Sequence, residues 1–254
     1  MVNLLKEGLA KARVSKRFWV CTGILAALAL LYVLLLKGEG TDPMNPDEKI
    51  GADAALFNML GSQSLFMAIV PGMLLVRDFT QNTVRNKIIS GYSRSTIYIA
   101  HTIVFSLISL FYHVVSMIAG LAFGIPILGV GDLTGGHVAV YLAYSFLLVL
   151  AYVAMTIFIC MLIRGVSGVI IAYVINSLLS SFALIAVYVV DNSYLIKIMN
   201  CAILDMQATV ILEGMSSAEL PGKFELVCMP ICSLAYIIGL PIVGINFFKK
   251  SDLK

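Results

Sequence analysis

The chain has 254 residues, of which 60% are hydrophobic and only 12% charged, with a formal net charge of +3. A soluble domain carries about twice that charged fraction, so the composition excludes a water-soluble fold and indicates an integral membrane protein. Five scattered cysteines give neither a disulfide framework nor a metal-ligand spacing, and no nucleic-acid partner is expected.

Residues 1–17 place Leu4, Leu5, Leu9 and Ala12 near one helical face, with Lys6, Arg13 and Lys16 within reach of lipid headgroups. This pattern predicts a short interfacial helix. The apolar run Phe18–Leu36 follows. It is long and lacks a small-residue cleavage site after it, so it reads as a retained span rather than a signal peptide. Residues 37–53 carry Gly38, Gly40, Pro43 and Pro46 and read as an irregular loop. The second span is expected over Ala54–Val76, with Asn58, Ser62, Gln63 and Ser64 as its polar residues.

Residues 77–101, RDFTQNTVRNKIISGYSRSTIYIAH, form a polar island between apolar runs. Arg77, Arg85, Lys87 and Arg94 face a single acid, Asp78. Asp78 followed by Gln81 resembles a helix-capping pair. Val84, Ile88 and Ile89 make an apolar stripe, and Ser90-Gly91 is a helix stop, because glycine tolerates the left-handed position there. The expectation is a helix within 79–90, of about 11 residues and roughly 16 Å, with Ser93 capping the helix after it.

The remaining spans are expected at Thr102–Gly124, Val138–Ile163, Val166–Val190 and Leu226–Phe248. Only Arg164-Gly165 separates the fourth from the fifth, which predicts a tight hairpin. Asn176, Ser177, Ser180 and Ser181 are the polar residues of the fifth span. Segment 191–225 contains two apolar stretches, Tyr194–Leu204 and Met206–Glu213, each too short to cross a bilayer. They are expected to form a re-entrant or interfacial helix pair capping the outer mouth.

The fold class is therefore all-α: one polytopic membrane domain, 1–254, with six transmembrane helices. If the spans alternate, 13 of the 17 basic residues share one side. They are Lys6, Lys11, Arg13, Lys16, Arg17, Arg77, Arg85, Lys87, Arg94, Arg164, Lys249, Lys250 and Lys254. The positive-inside rule then makes both termini and loop 77–101 cytoplasmic. Eleven of the 14 acids fall on the other side.

Several chemistries are missing. No GxxxxGK[ST] loop is present, so the chain does not hydrolyse ATP alone. No Asp, Glu, Lys or Arg lies within the six spans, which argues against an ion-coupled carrier. Gly165-Val166-Ser167-Gly168 reads as a small-residue helix contact rather than a protease motif, since His101, His113 and His137 all precede Ser167. The uncharged polar residues of spans two and five either glue helices together or line a wet path. Asn58, Ser62, Gln63, Asn176, Ser177 and Ser180 are the candidates for such a path.

Asp78, Thr83, Gly91, Ser93 and Arg94, followed by a third span, resemble the region after the second span in ABC-2 type exporter permeases. Asn82 stands where that family usually has Gly, and His101 where it usually has Lys. The resemblance implies a non-catalytic transmembrane subunit that pairs with itself or a related permease. It also implies two separate ATPase subunits holding ATP and Mg. Asp78, Thr83, Val84, Lys87, Ile88, Ile89, Gly91 and Arg94 would form the coupling site for that ATPase. The expected location is a bacterial plasma membrane. Uncharged path residues and an acidic outer face favour export of amphipathic, cationic peptides. The alternatives are a drug or lipid exporter, an integral membrane enzyme, or a non-transporting scaffold or immunity protein.

Overall fold

Helix α1 (Val2–Val14) ends at Ser15, where an extended backbone (φ −70°, ψ 120°) separates it from α2 (Lys16–Glu39). The computed structural model describes residues 1–39, 51–61, 64–130, 136–189, 193–216 and 221–250, and every regular element among them is a helix. The all-α polytopic class is thus the observed one.

The expected second span is two helices, α3 (Ala52–Gly61) and α4 (Ser64–Thr80), on either side of residues 62–63, which lie outside the described residues. A short α5 (Thr83–Ile89) follows, then α6 (Arg94–Leu128). At 35 residues α6 is about 52 Å long, well beyond the ~30 Å hydrocarbon core of a bilayer. Helix α5 packs against α6.

Helices α7 (Gly136–Ile163) and α8 (Val166–Val189) make the expected tight hairpin through Arg164-Gly165. Arg164 takes a left-handed φ of 57° to turn the chain in so few residues. A Cβ on Gly168 would lie 3.1 Å from the Cys160 Cα, so the glycine is what lets the two backbones meet.

Helices α9 (Ser193–Ala202) and α10 (Leu204–Ser216) meet at Ile203 with a bend of 104°. The last helix is α11 (Lys223–Lys250). Among the described residues α2, α6, α7, α8 and α11 are each long and apolar enough to cross a membrane, whereas α9 and α10 qualify only as a bent pair.

Helix α7 is the hub of the bundle. It packs against α3, α4, α6, α8, α10 and α11, and its Leu148, Val149, Tyr152 and Ile157 are almost wholly buried. By contrast α2, α8 and α11 expose large apolar side chains such as Leu35, Phe182 and Ile238. Lipid, rather than water, is the solvent that suits such surfaces.

Helix α11 approaches α6 where the Tyr98 ring lies against Gly244. Any Cβ at 244 would collide with the buried Tyr98 hydroxyl. Gly244→Ala is expected to lower stability by about 1–3 kcal/mol. Tyr98→Phe, which removes that hydroxyl, should recover part of the loss. A thermal-unfolding double-mutant cycle on the detergent-solubilised chain measures this, and additive losses would refute the contact.

Candidate functional site

The polar island folds as a three-part joint of α4, α5 and α6. The expected capping role of Asp78 is not what is seen. Helix α4 continues to Thr80, so Asp78 lies inside its last turn rather than at a helix start. Asn82 occupies the cap position of α5 instead, in the left-handed region (φ 55°), without a side-chain capping bond. The shorter α5, seven residues against the expected eleven or so, follows from this longer α4.

The Asp78 carboxylate meets the third span. Its Oδ2 is 3.1 Å from His101 Nε2, while His101 Nδ1 is 2.8 Å from the Ile97 carbonyl. The ring thus bridges the Ile97 carbonyl and the Asp78 carboxylate. His101 thus pairs with Asp78 at the place where the resemblance leads one to expect lysine. Lys11 of α1 lies 3.9 Å from Asp78 Oδ1. Burial alone acts to raise the carboxyl pKa. The His101 hydrogen bond and charge, with Lys87 and Lys11, outweigh it and hold Asp78 below its ordinary range.

Helix α5 has two faces. Val84 is buried, Ile88 is half-buried against the core, and Lys87 is buried with its Nζ 3.9 Å from Glu7 of α1. Arg85, Asn86 and Ile89 point outward, with Ile89 75% exposed. The apolar stripe expected from the sequence is therefore divided: Val84 and Ile88 anchor, and Ile89 is presented. Thr83 opens the helix half-buried.

Gly91 closes α5 at φ 90°. Its N–H donates to the Ile88 carbonyl at 3.0 Å, and the Tyr92 N–H donates to the Lys87 carbonyl at 3.2 Å. This pair of bonds is a Schellman motif. The Ser93 hydroxyl then accepts from the Thr96 N–H and caps α6. Arg94 reaches across the joint: its Nη1 donates to the Phe248 and Lys249 carbonyls at 3.3 and 3.0 Å. It caps the end of α11, where the helix dipole favours a cation.

The candidate path residues are not gathered in one place. Ser62 and Gln63, and the side chain of Asn58, lie outside the described residues. Ser177 and Ser180 are half-buried on α8, and the Ser180 hydroxyl donates back to the Ser177 carbonyl at 2.9 Å. Asn176 is buried and donates to Asp205, which also accepts from the Tyr152 hydroxyl.

That last contact ties two of the expected spans to an acid that belongs to neither of them. Asn176 lies about 15 Å along α8 from its start and Tyr152 about 16.5 Å from the end of α7. Asp205 therefore bonds both helices well inside their ends, beside the 104° bend between α9 and α10. Sequence reasoning assigned it to the outer face because it belongs to a stretch too short to span. Its only signal was an acid placed between two apolar stretches, at the start of the second.

The ABC-2 family transporter protein model matches residues 4–192, from α1 to just beyond α8. The chain belongs to the ABC-2 transporter family. This ABC permease is thus a multi-pass membrane component of a transporter, from a family that is generally non-catalytic and associates with ABC ATPases. The comparison with curated proteins gives no match.

Two predictions follow from these contacts. Asp78→Asn keeps shape but removes charge, and should cost this permease about 1–3 kcal/mol at neutral pH. Because the folded carboxyl is held low, its contribution is complete above the ordinary carboxylate range near 4. It is lost as pH falls through the lower folded value, so the two unfolding curves should converge in acid. A gap independent of pH would refute the charge pairing. Asp205→Ala leaves Tyr152 and Asn176 without their acceptor and should cost about 1–3 kcal/mol. Asp205→Asn, which keeps an acceptor oxygen, should be milder. Unchanged unfolding of Asp205→Ala would sink the bridge.

Proposed function

We propose that this permease drives export from the cytoplasm across a bacterial plasma membrane, with α5 as the helix through which a partner ATPase moves the spans. The observation that carries the reading is the two-sided character of α5. Its inner face is held by Val84, Ile88 and the Lys87–Glu7 pair, and its outer face offers Ile89 beside Arg85 and Asn86. A short helix anchored on one side and presenting an apolar residue among polar ones on the other suits a partner groove, and its rigidity suits transmission of force.

In this reading the basic end of the bundle, with α1 lying at the interface and both termini, faces the cytoplasm. ATP and Mg are bound by the partner, which supplies the energy this chain has no motif to capture. Two permease copies, or this chain and a related one, pair across the second and fifth spans. Exposed Ile170, Val174, Phe182 and Ile185 on α8 support that pairing, because a second copy would cover them. The substrate is an amphipathic, cationic peptide, drawn by the acid excess of the outer segments.

Ile89→Asp tests the coupling assignment. The ATPase recovered with the affinity-purified permease should fall about ten-fold or more, the equivalent of losing one well-buried apolar contact. Thermal unfolding of the permease should stay unchanged, because Ile89 is exposed. Ile88→Asp, at a half-buried position, should lower stability as well. A full complement of ATPase on the Ile89→Asp variant would overturn the reading.

A further inference from the structure

A cavity of about 480 Å³ opens at the basic end, between α1, the end of α4 and α6. Its two halves differ in chemistry. The floor is apolar, formed by Leu4, Leu74, Val104, Phe105 and Ile108. The mouth carries Lys11 and Arg77, with the buried Lys87 and His101 and with Asp78 on its wall.

The cations exceed the acids that face them. Lys11 is 2.9 Å from Glu7, which lies beside the mouth, and Lys87 is 3.9 Å from the same carboxylate. Asp78 is already engaged by His101. Among the described residues the exposed Arg77 guanidinium meets neither a carboxylate nor a hydrogen-bond acceptor. Arg77 directly follows the apolar run of the second span, and α1 is the amphipathic helix expected in the interface. The mouth therefore lies at headgroup level.

We propose that this cavity binds one anionic phospholipid of the leaflet at the basic end. Its phosphate would sit between Arg77 and Lys11, and one acyl chain would enter between α1 and α6. The volume suits part of a single amphiphile rather than a bilayer patch. A soluble anion would leave the floor bare, and a neutral apolar molecule would leave the cations unpaired. Only a molecule with an anionic head and an apolar tail uses both halves. Bound there, the lipid would tie α1 to α4 beside α5, so the state of the leaflet would reach the joint that α5 belongs to. The proposal needs only the basic end at a membrane surface, and it stands whether or not α5 contacts an ATPase.

Native mass spectrometry of the full chain, titrated with phosphatidylglycerol and with phosphatidylcholine of the same acyl chains, tests this. One tightly retained phosphatidylglycerol is expected, preferred over phosphatidylcholine. Arg77→Gln, at an exposed position that leaves the fold intact, should weaken its retention about ten-fold, the loss of one charge-assisted contact. Ala100→Phe, which fills the floor where Ala100 lines it, should weaken retention of both lipids, with thermal unfolding reporting whether the variant is folded. Glycerol phosphate should not compete. Equal retention of the two lipids, an unchanged Arg77→Gln variant, or displacement by glycerol phosphate would each overturn the proposal.

Discussion

A helix that ends inside a membrane leaves backbone carbonyls and amides that lipid cannot satisfy. Helix α9 ends at Ala202, next to the buried Cys201, and the chain bends by 104° through Ile203 into α10. Side chains from three neighbouring helices make that turn tenable. The Gln207 amide donates to the Cys201 carbonyl at 2.6 Å, and the Tyr236 hydroxyl donates to the Ala202 carbonyl at 3.1 Å. Gln207 is itself held by the Ser233 hydroxyl at 2.8 Å. Asp205, in the first turn of α10, accepts from Tyr152 and Asn176. The turn thus joins α7, α8, α9, α10 and α11 in one polar network. The same α10 also packs against α3 and α7.

The basic end follows the same logic with charges. Asp78 is largely buried and keeps its charge because His101 and two lysines surround it. Arg94 spends its guanidinium on the end of α11, so the start of the third span and the end of the sixth are locked together. Between these fixed points α5 is stopped by Gly91 and braced by α1 through Lys87 and Glu7. Several residues that look like a docking surface in sequence are thus the frame of the joint. The presented face is smaller: Arg85, Asn86 and Ile89.

Membership of the ABC-2 transporter family fits this division of labour. The family is generally non-catalytic and associates with ABC ATPases, and the route proposed for force is the membrane-surface joint. Here the connection is direct, since α5 sits between the end of α4 and the long α6. The polar residues of the bundle interior mostly serve cohesion: His113 Nε2 lies 3.0 Å from the Ser145 hydroxyl and links α6 to α7.

The sequence by itself determined the class, five of the spans and much of the punctuation. Apolar run length is a one-dimensional property set by bilayer thickness, so α2, α6, α7, α8 and α11 were legible from it. Local chemistry likewise marked Gly91, Ser93 and the Arg164-Gly165 turn, because each depends only on near neighbours. The tertiary structure decided what depends on distant partners. Asp78 left its expected cap because the nearest competitor for its charge, His101, is 23 residues away. Asp205 entered the bundle because Tyr152 and Asn176 wait on other helices, and no window of sequence around 205 contains them. Arg94 turned to α11 across 154 residues for the same reason. A charge finds its place by the partners that solvate it, and in a membrane bundle those partners are brought by packing rather than by sequence neighbourhood.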